Sequence, residues 1–212
     1  MPLLYDKQIS EQSRICIWEI NESPEELLQM GRITMDELEQ AGKKTLKRQL
    51  EWLTTRFLLK QMLSADEQIE LFYDEYGKPH LKGHKEHISI SHTKQFVAVI
   101  SHNFKRVGID IEIVTPRIEK ISHRFLSRKE LEWTKENYSL EKLFIVWGAK
   151  ESAFKIYSAG GIEFKEMLEV NPFNYAVKGA TLITLDKNNV TCAYPVWWEH
   201  LGRIMLVYAM EN

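Results

Sequence analysis

Cysteine is scarce. Cys16 and Cys192 are the two in 212 residues, and neither stands in a CxxC or zinc-type spacing. That excludes a disulfide framework and a thiolate metal centre, and both are read as reduced thiols of a cytoplasmic protein. Long apolar runs are absent. The longest, residues 96–100 and 204–210, are strand-sized and far short of the ~20 residues of a membrane helix. Residues 1–10 hold no basic head and no apolar stretch, so no secretory leader is expected in them. An excess of one charge is also missing. At a formal net charge of −2 the chain has no overall basic field to attract nucleic acid. No segment is of low complexity. What is present is 44% hydrophobic residues, enough to bury a sizeable core in one large domain or two small ones.

The pattern along the chain predicts an α+β protein. Residues 14–20 alternate towards apolar positions and read as a strand. Ser23 and Pro24 mark a helix start, and Thr34 with Glu37 forms a capping box for a short helix over 34–41. A long helix is predicted over 46–63, with Leu50, Leu53, Phe57, Leu58 and Met62 as its apolar stripe. Strands are expected at 69–73, 88–91 and 96–101, with a turn at Tyr76-Gly77-Lys78-Pro79. A second series follows. It has a strand at 107–114, a basic helical or turn segment at 116–125, a helix at 127–137 opened by a Ser127–Glu130 capping box, and a long helix at 140–157 stopped by Ser158-Ala159-Gly160-Gly161. Four strands then fall near 169–170, 176–185, 190–197 and 204–209. The shared order predicts two similar α/β subdomains, 1–104 and 105–212, in a pseudo-twofold arrangement. Each would have a small, mainly antiparallel sheet packed on a long helix, with the active site at their interface.

Val107-Gly108-Ile109-Asp110-Ile111-Glu112-Ile113 is the most informative stretch. On a strand, Gly108, Asp110 and Glu112 share one face, so two carboxylates stand close enough to share a cation. Hard oxygen ligands suit Mg²⁺, which binds through a few carboxylates plus substrate phosphates, and Gly108 is read as leaving room beside them. The plain alternative is an amphipathic strand with a solvated acidic face. In the second long helix Trp147, Glu151 and Lys155 are spaced by four and form one stripe, while Lys150 is free to point into a cleft or to solvent. Here the alternative is a surface Glu–Lys pair beside a core Trp. Together, three carboxylates and a lysine suit a metal-bridged diphosphate.

These residues resemble the 4′-phosphopantetheinyl transferases, especially the pseudodimeric type that activates peptide synthetases. The resemblance rests on Tyr76-Gly77-Lys78-Pro79, Ile88-Ser89-Ile90-Ser91-His92, Gly108-Ile109-Asp110-Ile111-Glu112, Phe125-Leu126-Ser127-Arg128-Lys129-Glu130 and Trp147-Gly148-Ala149-Lys150-Glu151-Ser152 followed by Lys155. It implies transfer of the phosphopantetheine arm of coenzyme A to a serine of an apo acyl, peptidyl or aryl carrier protein. Adenosine 3′,5′-bisphosphate would be released, and the protein would be a monomer. By the same resemblance Asp110, Glu112 and Glu151 would hold Mg²⁺ against the diphosphate, and Glu112 could act through water. Glu151 would be the base for the carrier serine and Lys155 would contact the diphosphate. Ser91 and His92 would bind phosphate, and Lys78 would lie against the adenosine. Basic residues of the first half would take the 3′-phosphate. Lys43, Lys44, Lys47, Arg48 and Arg56 are the candidates and Arg48 with Arg56 the preferred pair, although a solvated helix face is the better explanation of most of them.

Residues 115–130 form a local basic patch with Arg117, Lys120, Arg124, Arg128 and Lys129. Carriers of this kind are usually acidic around their serine, so Arg117, Lys120 and Arg124, with Ile121 and Phe125 as apolar contacts, are the expected docking residues. The buried face of a helix is the alternative for the apolar ones. His80, His84, His87 and His92 lack a completing ligand and read as loop histidines rather than a zinc site. Two other functions fit parts of the pattern. A non-catalytic relative would bind coenzyme A or a carrier without transfer, and a Mg²⁺-dependent phosphohydrolase would release phosphate with no protein acceptor.

Overall fold

The computed structural model describes residues 3–63, 69–136 and 138–212. The chain divides into two units, Met1–Glu75 with Pro79–Phe104 and Tyr76–Lys78 with Lys105–Asn212. Both mix helices with antiparallel sheets, so the fold class is α+β.

In the first unit β1 (Leu3–Ser10) and β2 (Ser13–Glu19) form a hairpin. α1 (Pro24–Gln29), α2 (Met35–Gly42) and α3 (Leu46–Met62) follow. The sequence signals at 23–24 and 34–37 are true helix starts. The Ser23 and Thr34 side chains accept from the backbone N–H groups of Glu26 and Glu37, whose carboxylates bond back. β3 (Leu71–Tyr73) pairs with β4 (Pro79–Leu81) around a turn where Gly77 has φ +80°. β5 (His87–Thr93) and β6 (Phe96–His102) complete a four-stranded sheet of order β1-β2-β6-β5. α3 seals it, with Leu53, Phe57 and Leu58 against Cys16, Trp18, Val97 and Val99. α3 is less amphipathic than its sequence suggests. Glu51, Thr54, Thr55, Arg56 and Lys60 are buried as well, because α1 and α2 cover a second side. Lys60 accordingly pairs with Glu37 of α2 at 2.7 Å. β1 escapes periodicity because it is an edge strand with mostly exposed polar residues.

The second unit is a five-stranded antiparallel sheet on one long helix. β7 (Val107–Ile113) leads to a 3-10 segment (Pro116–Ile121), α4 (Ser122–Phe125), α5 (Arg128–Lys135), α6 (Leu140–Tyr157), α7 (Phe164–Met167), β8 (Leu168–Val170), β9 (Lys178–Lys187), β10 (Val190–Leu201) and β11 (Ile204–Met210). The last residue of the helix expected over 127–137 lies outside the described residues. The sheet order is β7-β11-β10-β9-β8. Ser158 takes the left-handed C-cap of α6 at φ +54° and donates its N–H to Phe154 O.

Two glycines set how closely α6 lies on this sheet. A Cβ on Gly108 of β7 would sit 2.0 Å from the Ser152 carbonyl oxygen, and one on Gly148 of α6 would sit 2.6 Å from Val207 of β11. The space beside Gly108 is therefore filled by the backbone of α6, not left open for a ligand as the sequence suggested. Among the described residues no helix is long and apolar enough to cross a membrane.

Candidate active site on β7 and α6

The backbone contact at Gly108 decides which residues meet. Asp110 and Glu112 follow Gly108 on the same face of β7, opposite Val207 and Met205 of β11. On α6, Ser152 touches Gly108, so Glu151 and Lys155 come to the edge where the two carboxylates stand. Lys155 Nζ donates to Asp110 Oδ1 at 3.1 Å and to Ile109 O at 2.6 Å. Asp110 is only 6% exposed.

Glu151 is half-buried on α6, within the electrostatic reach of Asp110, Glu112 and Lys155. Burial first, and then the negative charge of Asp110, pushes its carboxyl up to about 7, with Lys155 opposing and Glu112 adding to the rise. Trp147, the third member of the α6 stripe, turns away from the site. Its ring packs on Phe125 at 5.2 Å and on Phe164 at 5.6 Å.

Among the described residues no three His, Cys, Asp or Glu side chains are grouped closely enough to hold a metal ion by themselves. In chemical type, as hard carboxylate oxygens, the donors of Asp110, Glu112 and Glu151 suit a hard divalent cation. Two carboxylates on one strand face stand beside a third whose proton affinity is raised by burial and then by the charge of Asp110, which makes an acidic edge. Mg²⁺ takes few protein oxygens and fills the rest of its shell with water and phosphate.

Residues 106–200, just under half of the chain, match the family model of the 4′-phosphopantetheinyl transferase superfamily. The chain carries a 4′-phosphopantetheinyl transferase superfamily domain. The domain contains β7, α6 and thus Asp110, Glu112, Glu151 and Lys155. No curated protein matches the chain.

Around this transferase-family domain the remaining candidate residues fall in several places. Lys78 is half-buried and donates to Ile156 O near the end of α6 at 3.4 Å. In the first unit Arg48 of α3 donates to Glu51 at 2.9 Å and lies 3.4 Å from the His92 ring, so these two candidates do meet. Ser91, next to His92 on β5, is buried and faces the opposite side of the strand. Arg56 is not displayed beside Arg48. It is 7% exposed, its guanidinium lies 3.2 Å from the centroid of the Trp52 ring, and burial lowers its pKa to about 10. In the basic segment Arg117, Lys120, Ile121 and Arg124 are exposed. Phe125 is 1% exposed and belongs to the core, so its side chain offers no docking contact.

Two residues matter more than the sequence suggested. Lys150, expected in a cleft or in solvent, is fully buried. Its Nζ reaches Glu130 Oε2 at 2.6 Å and the carbonyls of Phe125, Leu168 and Phe164 at 2.7, 2.7 and 2.8 Å. Glu130 also accepts from the backbone N–H groups of Ser127 and Val170. The residue before Glu151 thus anchors α6 to α5, α7 and β8. The signal was in the Ser127–Glu130 capping box, but the partner of Glu130 lies 20 residues away.

Proposed function

We propose that the protein transfers the 4′-phosphopantetheine arm of coenzyme A to a serine of an apo carrier protein, with Mg²⁺. The observation that carries this reading is the meeting of the Asp110–Glu112 strand face with Glu151 and Lys155 of α6, inside a domain of the transferase superfamily. Asp110, Glu151 and, directly or through water, Glu112 would hold the cation. Bound there, Mg²⁺ neutralises charge on the diphosphate oxygens.

The carrier serine Oγ forms a bond to the β-phosphorus of coenzyme A. The bond from that phosphorus to the bridging oxygen breaks, and adenosine 3′,5′-bisphosphate leaves. Glu151, itself or through a water it orients, takes the proton from Oγ. A carboxylate whose surroundings raise its proton affinity is suited to that task near neutral pH. Lys155 is short of a full carboxylate cage and can pass its ammonium from Asp110 to the diphosphate, where it opposes charge on the leaving oxygen. Arg48 and His92 supply donors for a phosphate of the nucleotide, with Glu51 holding the Arg48 fork in place. Lys78 lies against the adenosine. Arg117, Lys120, Arg124 and Ile121 form the surface that an acidic carrier meets.

The test is direct. The protein is incubated with coenzyme A, Mg²⁺ and an apo acyl carrier protein, and the carrier is weighed by intact mass spectrometry. A Mg²⁺-dependent gain of one phosphopantetheine is expected with wild type, and little or none with Asp110→Ala or Glu151→Gln. Coenzyme A binding should stay measurable in Glu151→Gln. Near-normal transfer by Glu151→Gln would refute its role. Phosphate release without a modified carrier would mean a phosphohydrolase instead.

A further inference from the structure

The turn between β3 and β4 carries Lys78, and the backbone secures that turn only weakly. The hairpin pairs three residues on each side, Leu71 with Leu81, Phe72 with His80 and Tyr73 with Pro79. Leu71 and Leu81 anchor its base in the core, at 8% and 5% exposed. The last rung, Tyr73 with Pro79, is short of a donor because proline has no N–H. Beyond that rung the chain runs unpaired through residues 74–78. A two-stranded ribbon this short is marginal on its backbone bonds alone.

Side chains supply what the last rung lacks. Phe72 and its cross-strand partner His80 share the face opposite Leu71 and Leu81, by the two-residue period. Their rings stack, with centroids 5.3 Å apart and planes inclined by 22°. The stack orients the imidazole, and its Nε2 meets Asp74 Oδ2 at 2.9 Å across the mouth of the turn. An ionised carboxylate only accepts, so His80 Nε2–H is the donor. The bond joins the first residue of the turn to the second residue after Lys78, and so closes the chain from 74 to 80 into a loop. Within that loop Lys78 is half-buried and donates to Ile156 O at 3.4 Å. Where a lysine ammonium can reach is set first by the backbone that carries it.

We propose that His80 and Asp74 are positioning residues of the coenzyme A site: their bond closes the turn and fixes the backbone from which Lys78 reaches the nucleotide. The proposal rests on the transferase reading, through Lys78. Neither side chain has to touch the ligand.

Coenzyme A binding to the full chain, measured by calorimetry, is the test. The pair is 37% exposed at His80 and 30% at Asp74, so His80→Ala or Asp74→Ala should weaken binding about threefold, and the two together no more than either. His80→Gln, whose side-chain amide N–H can reach Asp74, should bind as wild type does. Lys78→Met should weaken binding about tenfold. Adding His80→Ala to Lys78→Met should then weaken it no further. Turnover of His80→Ala at saturating coenzyme A should be unchanged, with the loss confined to the coenzyme A KM. A general loosening of the fold would instead weaken binding by the same factor with or without Lys78, and that result would overturn the proposal. So would wild-type affinity in His80→Ala beside a weakened Lys78→Met, an outcome that leaves the transferase reading intact. Failure of the wild type to bind coenzyme A would overturn that reading and this proposal together.

Discussion

Replacing Lys150 by methionine keeps the length and apolar stem of the side chain and removes its charge. In the wild type the ammonium has four oxygen acceptors between 2.6 and 2.8 Å, and both it and Glu130 are fully buried. Burial raises the Glu130 pKa and lowers that of Lys150, so each charge is tolerated because the other is there. Methionine leaves the Glu130 carboxylate buried with two backbone donors, and strands three carbonyls. Breaking a buried pair from one side costs about 3–5 kcal/mol, and the orphaned carbonyls place this case at the upper end. For a two-state chain of this size, that lowers Tm by roughly 8–16 °C. The loss should shrink in acid. Without Lys150 the folded-state pKa of Glu130 rises further above its unfolded value, so the carboxylate's share of the penalty is absent below the unfolded pKa and complete once pH has passed the folded one, while the share of the three carbonyls stays. Urea unfolding at pH 5 and pH 7.5 measures both effects. Adding Glu130→Gln to Lys150→Met should recover part of the loss at pH 7.5. A single variant within about 1 kcal/mol of wild type at pH 7.5 would refute the reasoning, since no exposed ion pair is worth more than that.

Three further outcomes are expected. Without Mg²⁺, stability should fall as pH rises from about 4.5 through about 7, because folded Glu151 keeps a proton that the unfolded chain releases. The fall is at most about 3 kcal/mol. Glu151→Gln should flatten that slope in a thermal melt series, and an unchanged slope would remove Glu151 as its source. Gly108→Ala would drive a methyl group to 2.0 Å from Ser152 O, so it should cost about 1–3 kcal/mol or more and disable transfer by moving β7 off α6. A normal Tm would contradict the close approach. Reversing Arg117 and Lys120 to Glu should raise the carrier KM about threefold to tenfold at low salt and leave the coenzyme A KM unchanged. An unchanged carrier KM would put docking elsewhere.

Much of the second unit was legible because its signals are local. The 140–157 helix, the capping box at Ser127 and the alternating strand at Val107 appear within a residue or two of where the sequence places them. Asp110 and Glu112 share a face by the two-residue period alone. β1 was not legible because a polar edge strand has one neighbour and little to bury. α7 and β4 were too short to carry a period, at four and three residues.

The sequence by itself determined the elements and the residue types of the site: the acidic strand face, the Glu151–Lys155 spacing and the helix starts. These follow from periods of 2 and 3.6 and from caps that span three residues. Only the packing of distant segments decided which charged side chains stay accessible and which hold the fold. Lys150 and Lys155 lie five residues apart on one helix, yet one is sealed among four oxygens and the other stays at the site edge. Arg48 and Arg56 diverge in the same way on α3. A lysine or arginine carries the same charge in either role. Its burial depends on distant segments, here Phe125, Glu130, Phe164 and Leu168 for Lys150, and no local pattern records where those will lie.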